Sequence, residues 1–480
     1  MKVSLVVPLA VIALTATGPE TTWGQASKER VLAVIEANRD RYADVALQIW
    51  GFAEVGYQEE RSSALLQATL RDAGFAVEAA VAGMPTAFVA SYGSGSPVIG
   101  ILAEFDALPG ISQDSVPYRK PLVEGGGSGH ACGHHLFGTG SVAAAIAVKE
   151  WLAENGTPGE IRLYGTPAEE GGAGKVYMVR EGLFDDVDVA LHWHAGDRND
   201  ASPGTSLANK SAKFRFHGRS THAAGAPWLG RSALDGVEAM NDMVNLMREH
   251  VPPETRIHYV ITRGGFAPNV IPDFAEVFYY TRFPTAEGAE EIFERVVKAA
   301  EGAALGTGTT MDYEVIHGLH SLLPNESLAK VMDANLRSVG GVHYTAGERA
   351  FAEQLYPTLE TDRKLGTEAE IEPFQLRPPG GSTDVGDVSW VVPTAGLRTA
   401  TWVPGTPAHS WQAVAAGGTS IGAKGLEVAA KTLALTAVDL YTNPALIQQA
   451  RAELERRRGP DFVYRPLLGD RAPPLDYRRD

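Results

Sequence analysis

The sequence predicts an α/β domain with a largely parallel sheet, interrupted by a smaller α+β unit, and three observations carry that prediction. Between Phe75 and Ser206, short β-rich apolar runs alternate with helical patterns, each run emptying into a polar or glycine-rich tip. After Ser206 the strands alternate apolar and polar side chains, as sheets with one solvated face do. Beyond Asn325 the α/β character returns and runs to about Tyr441.

In chain order, Lys2 precedes an apolar run from Val3 to about Ala16, then small and polar residues with a plausible cut near Gly24 to Ala26. That is a signal-peptide pattern over residues 1–26, too short for a good spanning helix, and no further stretch of membrane-spanning apolar length is expected. Lys28 to Leu70 offers two helical patterns, the second ending near Gly74. FAVEAAVA, AFVASYG and SPVIGILAEFDALPG are strands punctuated by glycine. From Ser141, SVAAAIAVKEWLAENG is a helix with small residues on its packing face, stopped by Gly156. A strand in GEIRLYGTPAEEG, a helix near Gly174 to Glu181 and the strand VDVALHWH complete the first part of the main domain, residues 27–206.

The alternating strands SAKFRFHG, TRIHYVIT, FAEVFYYTRF and MDYEVIHG, with helices around Ser232 to Arg248 and Ala286 to Ala300, form the inserted unit, residues 207–324. Two helices on one side of a small antiparallel sheet describe it. Residues 325–448 return to the main domain, and 449–480 begin as a charged helix and finish as a Pro- and Arg-rich surface strap.

A chain of 480 residues suggests two or three domains. Its single cysteine, Cys132, cannot form an internal disulfide, so packing alone must hold the fold. The net charge of -16 argues against nucleic acid or an anionic membrane as partner, although a local field can oppose the global one. Export to the periplasm or beyond, with no membrane association after processing, follows from the leader. A free thiol is a liability in an oxidising compartment, which makes metal ligation attractive.

That thiol sits in GHACGHH, where glycines allow tight turns and Cys132 and His134 are one residue apart. Glu169 and Glu170 end a strand in GTPAEEGG, His194 ends the next in ALHWH, and His409 lies in the late GTPAHSW segment. Four tips thus present Cys, His and Glu, a ligand set for zinc, manganese or cobalt, and ligand groups collect at the carboxyl ends of parallel strands. Packing cysteine and hydrogen-bonding histidines are the bland alternative. A Cys132 nucleophile with His134 or His135 as its base is the other, and it leaves the glutamates and distant histidines without roles. No CxxC, HExxH or GxxxxGK[ST] motif competes.

The segments AEFDALPG, GHACGHH, GTPAEEGG, ALHWH, GRSTHAAGAPWLGRSALD, GGFAPNVIPD and GGSTDVGDVSW together resemble the M20 metallopeptidase family, in its amidohydrolase branch, on the side of the aminobenzoyl-glutamate hydrolases. The likeness runs from about Arg30 to Arg465. It implies a two-metal, exopeptidase-like catalytic domain with an inserted lid and dimerisation domain. Cys132 would bridge two divalent ions, zinc or manganese; His134 and His194 would serve one, Glu170 and His409 the other. Glu169 would be the general acid/base, and His222 would act in the site of a second copy within a homodimer. His135 stands where many relatives have aspartate, and GGSTDVGD where others have GSEDF.

The implied substrate is an N-acyl or aroyl amino acid, aminobenzoyl-glutamate-like compounds among them, or a dipeptide, with a free carboxylate. Asn269 in GGFAPNVIPD can donate to a carboxylate or carbonyl, and Arg282 in FYYTRF can grip a carboxylate with two prongs. Trp193, Phe266 and Trp411 are candidates for an acyl pocket. The alternative is a noncatalytic small-ligand-binding or partner subunit of a related hydrolase.

Overall fold

The computed structural model describes residues 19–478. Most of the expected leader therefore lies outside the described residues, and the expected cut falls within the first helix, α1 (Pro19–Ala37). Two helices were expected before Gly74 and three are found, with α2 (Arg39–Phe52) and α3 (Glu60–Asp72) following α1. The extra break comes from Ala53, which turns left-handed at φ 46° and ends α2. The Glu54 carboxylate then accepts from the backbone N–H groups of Arg61 and Ser62 at 3.1 and 2.8 Å, supplying partners that the opening turn of α3 lacks.

Next come β1 (Ala76–Ala79), β2 (Phe88–Ser94), β3 (Val98–Ala103), α4 (His134–Asn155), β4 (Gly159–Gly165), α5 (Gly174–Arg180) and β5 (Val189–Gly196). A second group follows: β6 (Ala208–His217), α6 (Ala233–Met247), β7 (Arg256–Arg263), β8 (Phe274–Phe283), α7 (Ala286–Thr307) and β9 (Thr310–Leu319). The chain then forms α8 (Glu326–Val339), α9 (Ala346–Leu355), α10 (Val385–Val391), β10 (Thr394–Ala400), α11 (Trp411–Gly417), α12 (Ser420–Thr442) and α13 (Pro444–Arg458).

The main sheet has the order β1-β2-β4-β3-β5-β10. Its four strands from β4 to β10 are parallel, and β2 and β1 add antiparallel at one edge. Every residue of β3, VIGILA, is buried, as a strand covered on both faces requires. Helix α4 packs on β3, β4 and β5 and beside α12. It comes very close: a Cβ at Gly138 would meet the Glu104 carbonyl at 2.7 Å, and one at Gly140 the Trp193 ring at 2.9 Å. This is why the helix is built of small residues, and it presses the first turn of α4 against the end of β3. Among the described residues α4 is the one helix long and apolar enough to cross a membrane, where no such stretch was expected; 83% of its apolar window is buried, and it is a core helix.

The chain reverses direction of strand addition around β3, with β4 on one side and β5 on the other, which opens a crevice beyond the carboxyl ends of these strands. The second sheet, β7-β8-β6-β9, is antiparallel throughout and lies within the segment expected as an insertion. Its own core of Phe214, Val277, Tyr279, Met240 and Phe293 joins the sheet to α6 and α7. Alternation on β8 sends Ala275, Val277 and Tyr279 into that core and leaves Tyr280 and Arg282 on the opposite, helix-free face.

Candidate metal centre

The site begins where β3 ends. Glu104 and Asp106 follow directly and are two residues apart, so extended backbone points both the same way. Leu108 and Gly129 exchange backbone hydrogen bonds at 3.0 and 2.9 Å, which fastens the GHACGHH segment beside this carboxylate pair. Helix α4 starts at His134, seven residues before the expected Ser141, because Gly133 takes the left-handed conformation at φ 76° and turns the chain into it. A Cβ there would collide with the Ala195 methyl group. His134 and His135 thus lie on a rigid first turn and not on a loop.

Two clusters form around the thiol. Cys132 groups with His134 and His194, and again with Glu170 and His409; within each group the ligand-type atoms lie within 4.8 Å of one another. The Cys132 Sγ is 3.5 Å from His194 Nε2. A third cluster, Glu104, His134 and Glu169, adjoins the first. All five expected ligands and Glu169 therefore meet at one place.

Their orientation is enforced from behind. Asp106 accepts from His134 Nδ1 at 2.8 Å and from the Glu170 backbone N–H at 2.9 Å, so one buried carboxylate aims a member of each cluster. His194 Nδ1 donates to the Ala195 carbonyl at 2.8 Å, leaving Nε2 to face Cys132. The glutamates follow Ala168, held left-handed at φ 58°, and His409 is itself left-handed at φ 59°. Backbone strain of this sort persists where the surroundings over-determine it. Glu104 is braced by Lys175, fully buried between Glu104 and Asp384 at 2.7 Å from each.

The donor set fits a pair of divalent cations. His134 Nε2 and Glu104 Oε2 are 3.1 Å apart, as are His409 Nε2 and Glu170 Oε1. Yet Glu104 Oε2, His134 Nε2 and Glu170 Oε1 are buried and have no hydrogen-bond partner among the described residues. Atoms so close that nevertheless point past each other suit ligands aimed at a shared ion. Thiolate, imidazole and carboxylate are the ligands of zinc and its neighbours.

The electrostatics of the pocket point the same way. Burial opposes protonation of His134, but Asp106, Cys132 and Glu104 outweigh it and raise the imidazole well above its ordinary range. The proximity of Cys132 and Glu170 raises His409 to about 10. His194, by contrast, is pushed well down by burial, Arg398 and His134, which keeps its imidazole neutral. Burial, Glu104 and Glu170 push Glu169 far above the carboxylate range, so this side chain is suited to holding a proton.

A cavity of about 1060 Å³ opens over these residues. Tyr280, Arg282 and His317 line it from the small sheet, and Arg478 lines it from the C-terminal tail. Arg282 Nη1 donates to Ser382 Oγ at 2.9 Å, and its Nε has no partner among the described residues. His222 and Asn269 do not line the cavity of their own chain. They lie together elsewhere: His222 pairs with Val270 in an isolated bridge, and the Ala223 N–H donates to the Asn269 carbonyl at 3.0 Å.

Several expectations need correction. Trp193 is wholly buried and donates to the Phe137 carbonyl at 3.0 Å, Phe266 is fully exposed, and Trp411 packs in a separate cluster. None of the three lines the cavity, where Phe137 and Tyr280 are the phenyl and phenol rings. His135 Nε2 is spent on the Gly417 carbonyl at 3.1 Å, so it is no base for Cys132. The tail is more than a surface strap, since Leu467 and Leu468 are buried and Arg478 reaches the cavity. Glu104, Asp106, Lys175, Asp384 and Arg478 were missed; the E-x-D spacing after an apolar strand was the available signal for the first two.

The family described as peptidase family M20/M25/M40 matches residues 100–460. A p-aminobenzoyl-glutamate hydrolase chain of Escherichia coli (strain K12), one of the two kinds of subunit that carry this name there, is 42% identical over 446 residues, covering 87% of this chain and 93% of that protein. The Xaa-Arg dipeptidase of Mus musculus is 30% identical over 443 residues, covering 89% and 92%. Among solved structures, a putative aminohydrolase from methicillin-resistant Staphylococcus aureus has a TM-score of 0.61 at 18% identity, over 86% of this chain and 99% of the other. A dinuclear metal binding peptidase of the M20 family from Bacillus subtilis has a TM-score of 0.55 at 19% identity, over 85% and 99%. At these identities the structures show a shared fold.

Proposed function

The chain belongs to peptidase family M20/M25/M40, and we propose from that premise that it is a metal-dependent amidohydrolase cleaving N-acyl or aroyl amino acids or dipeptides that carry a free carboxylate. The observation that carries the proposal is the pair of clusters sharing Cys132, with Glu169 beside them under a cavity that also holds Arg282. Cys132, His134 and His194 would hold one ion, and Cys132, Glu170 and His409 the other, zinc or manganese. Bound there, two divalent ions supply Lewis acidity toward the amide carbonyl and lower the pKa of a water.

The chain's own groups do the rest. As a carboxylate, Glu169 accepts a proton from the attacking water and, as the acid so formed, returns it to the leaving nitrogen; surroundings that raise its proton affinity make it the stronger base for the first step. Asp106 keeps His134 and Glu170 in place during turnover. Arg282 pairs with the substrate carboxylate and fixes the scissile bond over Glu169. The relatives named for p-aminobenzoyl-glutamate and for Xaa-Arg dipeptides support an amide substrate with an amino-acid leaving group.

His222 and Asn269 support a homodimer, because they lie together outside their own cavity, near exposed Trp228 and Phe266. His222 would then complete the site of a second copy. The apolar leader supports an exported enzyme, and N-terminal sequencing of the purified protein tests that directly.

A panel of N-acyl amino acids and dipeptides, assayed with added zinc or manganese, tests the activity. Matched substrates with a free or amidated terminal carboxylate should differ in kcat/KM in the wild type, and Arg282→Ala should remove most of the difference. Equal rates on both forms in both proteins would contradict carboxylate recognition. Binding without turnover across the panel would instead favour a noncatalytic subunit. For the dimer, mixing Glu169→Gln with His222→Ala chains should restore activity; confirmed mixed dimers without recovery would reject action across the interface.

A further inference from the structure

The C-terminal tail is fastened to both halves of the molecule before it ends in the cavity. Leu467 packs with Ala208, Ala286 and Ala289 of the small unit, and Arg471 pairs with Glu314 of β9 at 2.9 Å. Arg180 of α5 donates to the carbonyls of Gly469 and Arg471 at 3.2 and 2.7 Å. Tyr477 packs edge-on against Tyr57, with ring centroids 5.7 Å apart, and donates to the Glu170 carbonyl at 3.1 Å. These contacts leave Arg478 little freedom. Its Nη2 donates to the Glu170 carbonyl at 2.6 Å and its guanidinium lies 4.9 Å from the centre of the Tyr477 ring, lining the cavity.

Arg478 Nε is buried and, like Arg282 Nε, has no hydrogen-bond partner among the described residues. Neither guanidinium forms an ion pair with a carboxylate there; Arg282 bonds the Ser382 hydroxyl, and Arg478 bonds the Glu170 carbonyl and the Tyr477 hydroxyl. Tyr280 lies between them in the electrostatic sense: both cations act on it, and its hydroxyl is beside Gly171, as is Arg478 Nη2. Two partly buried cations, each with one buried donor unused, make this side of the cavity a place for anionic groups even though Glu170 already acts on both. One substrate carboxylate satisfies one guanidinium.

We propose that Arg478 is a specificity-determining residue that binds the second carboxylate of an N-acylated dicarboxylic amino acid, with Arg282 taking the first. This rests on the amidohydrolase reading above. The test compares N-benzoylglutamate with N-benzoylglycine in metal-loaded, full-length wild type, Arg478→Ala and Arg478→Lys, with metal content measured in each. Wild type should prefer the dicarboxylate. Arg478→Ala should lower kcat/KM for N-benzoylglutamate about tenfold or more, mainly through KM, while N-benzoylglycine changes less than about threefold; Arg478→Lys should recover part of the loss. Equal losses on both substrates would mean that Arg478 only steadies Glu170, and no loss on either would mean it does nothing; both outcomes overturn the proposal. If wild type turns over neither substrate, the amidohydrolase reading fails by itself, and calorimetric binding of N-benzoylglutamate then decides on Arg478. Binding about tenfold weaker in Arg478→Ala upholds the assignment, and equal binding rejects it.

Discussion

Asp106 shows how much of the site depends on one side chain outside the three ligand-type clusters. Its two oxygens aim His134 and Glu170, one from each cluster, so Asp106→Asn should weaken metal binding about 10- to 100-fold with the fold intact. Competition with a chromophoric chelator measures this, and unchanged affinity would remove Asp106 from its positioning role. The role proposed for Glu169 is different, moving a proton, and it rests on its raised proton affinity beside the clusters. Glu169→Gln should keep its metal and lose about 10²- to 10⁴-fold in kcat; a metal-loaded variant with near-wild-type turnover would rule out the assignment. The residues of the two thiol-sharing clusters were legible in the sequence because cysteine, histidine and paired glutamates cluster at strand ends. Glu104, Lys175 and Asp384 were not, since a buried lysine bracing two carboxylates joins β3, α5 and the start of α10, which only the fold brings together.

At the scale of elements, the strands and most helices could be read from periodicity, and the errors fell at helix starts. Helix α4 begins early because its N-terminus is set by a left-handed glycine against Ala195, a tertiary contact that no local pattern announces. Gly133→Ala should therefore move His134 and Cys132 and reduce metal affinity at least tenfold, while far-ultraviolet circular dichroism stays near wild type. Helix α8 gives a pH prediction. The buried Glu453 of α13 accepts from the backbone N–H groups of Glu326 and Ser327 at 2.9 and 2.8 Å and from Arg457 at 2.7 Å. Burial works against its charge, but these bonds win and hold the carboxyl at about 2, below the ordinary 4.5. A depressed carboxyl contributes stability that is complete above the unfolded value and disappears as pH falls through the folded one. Glu453→Gln should thus destabilise the protein by about 1–3 kcal/mol at pH 7, with the difference from wild type shrinking below pH 4.5 and lost near pH 2. A difference that is constant across that range would assign the effect to packing.

For the whole molecule, two sheets with separate cores face one another across a cavity that neither could form alone. The division into an α/β body and an antiparallel unit was legible because strand patterning changes near Ser206 and changes back near Asn325. The course of the tail was not, because a Pro- and Arg-rich segment without periodicity carries no signal for where it packs. The acidic balance of the chain likewise gave no sign that Arg478 joins the expected Arg282 in lining the cavity, since net charge says nothing about where the cations lie. What joins these features is one claim, that a thiol shared by two ligand clusters holds the ions on which amide hydrolysis depends. The most direct test strips the protein of metal, then titrates zinc or manganese while bound metal and hydrolysis of an N-acyl amino acid are followed together, in wild type and Cys132→Ala. Wild type should be inactive when metal-free and recover as two equivalents per chain bind, whereas Cys132→Ala should fail to retain them; full turnover by rigorously metal-free wild type would contradict the account.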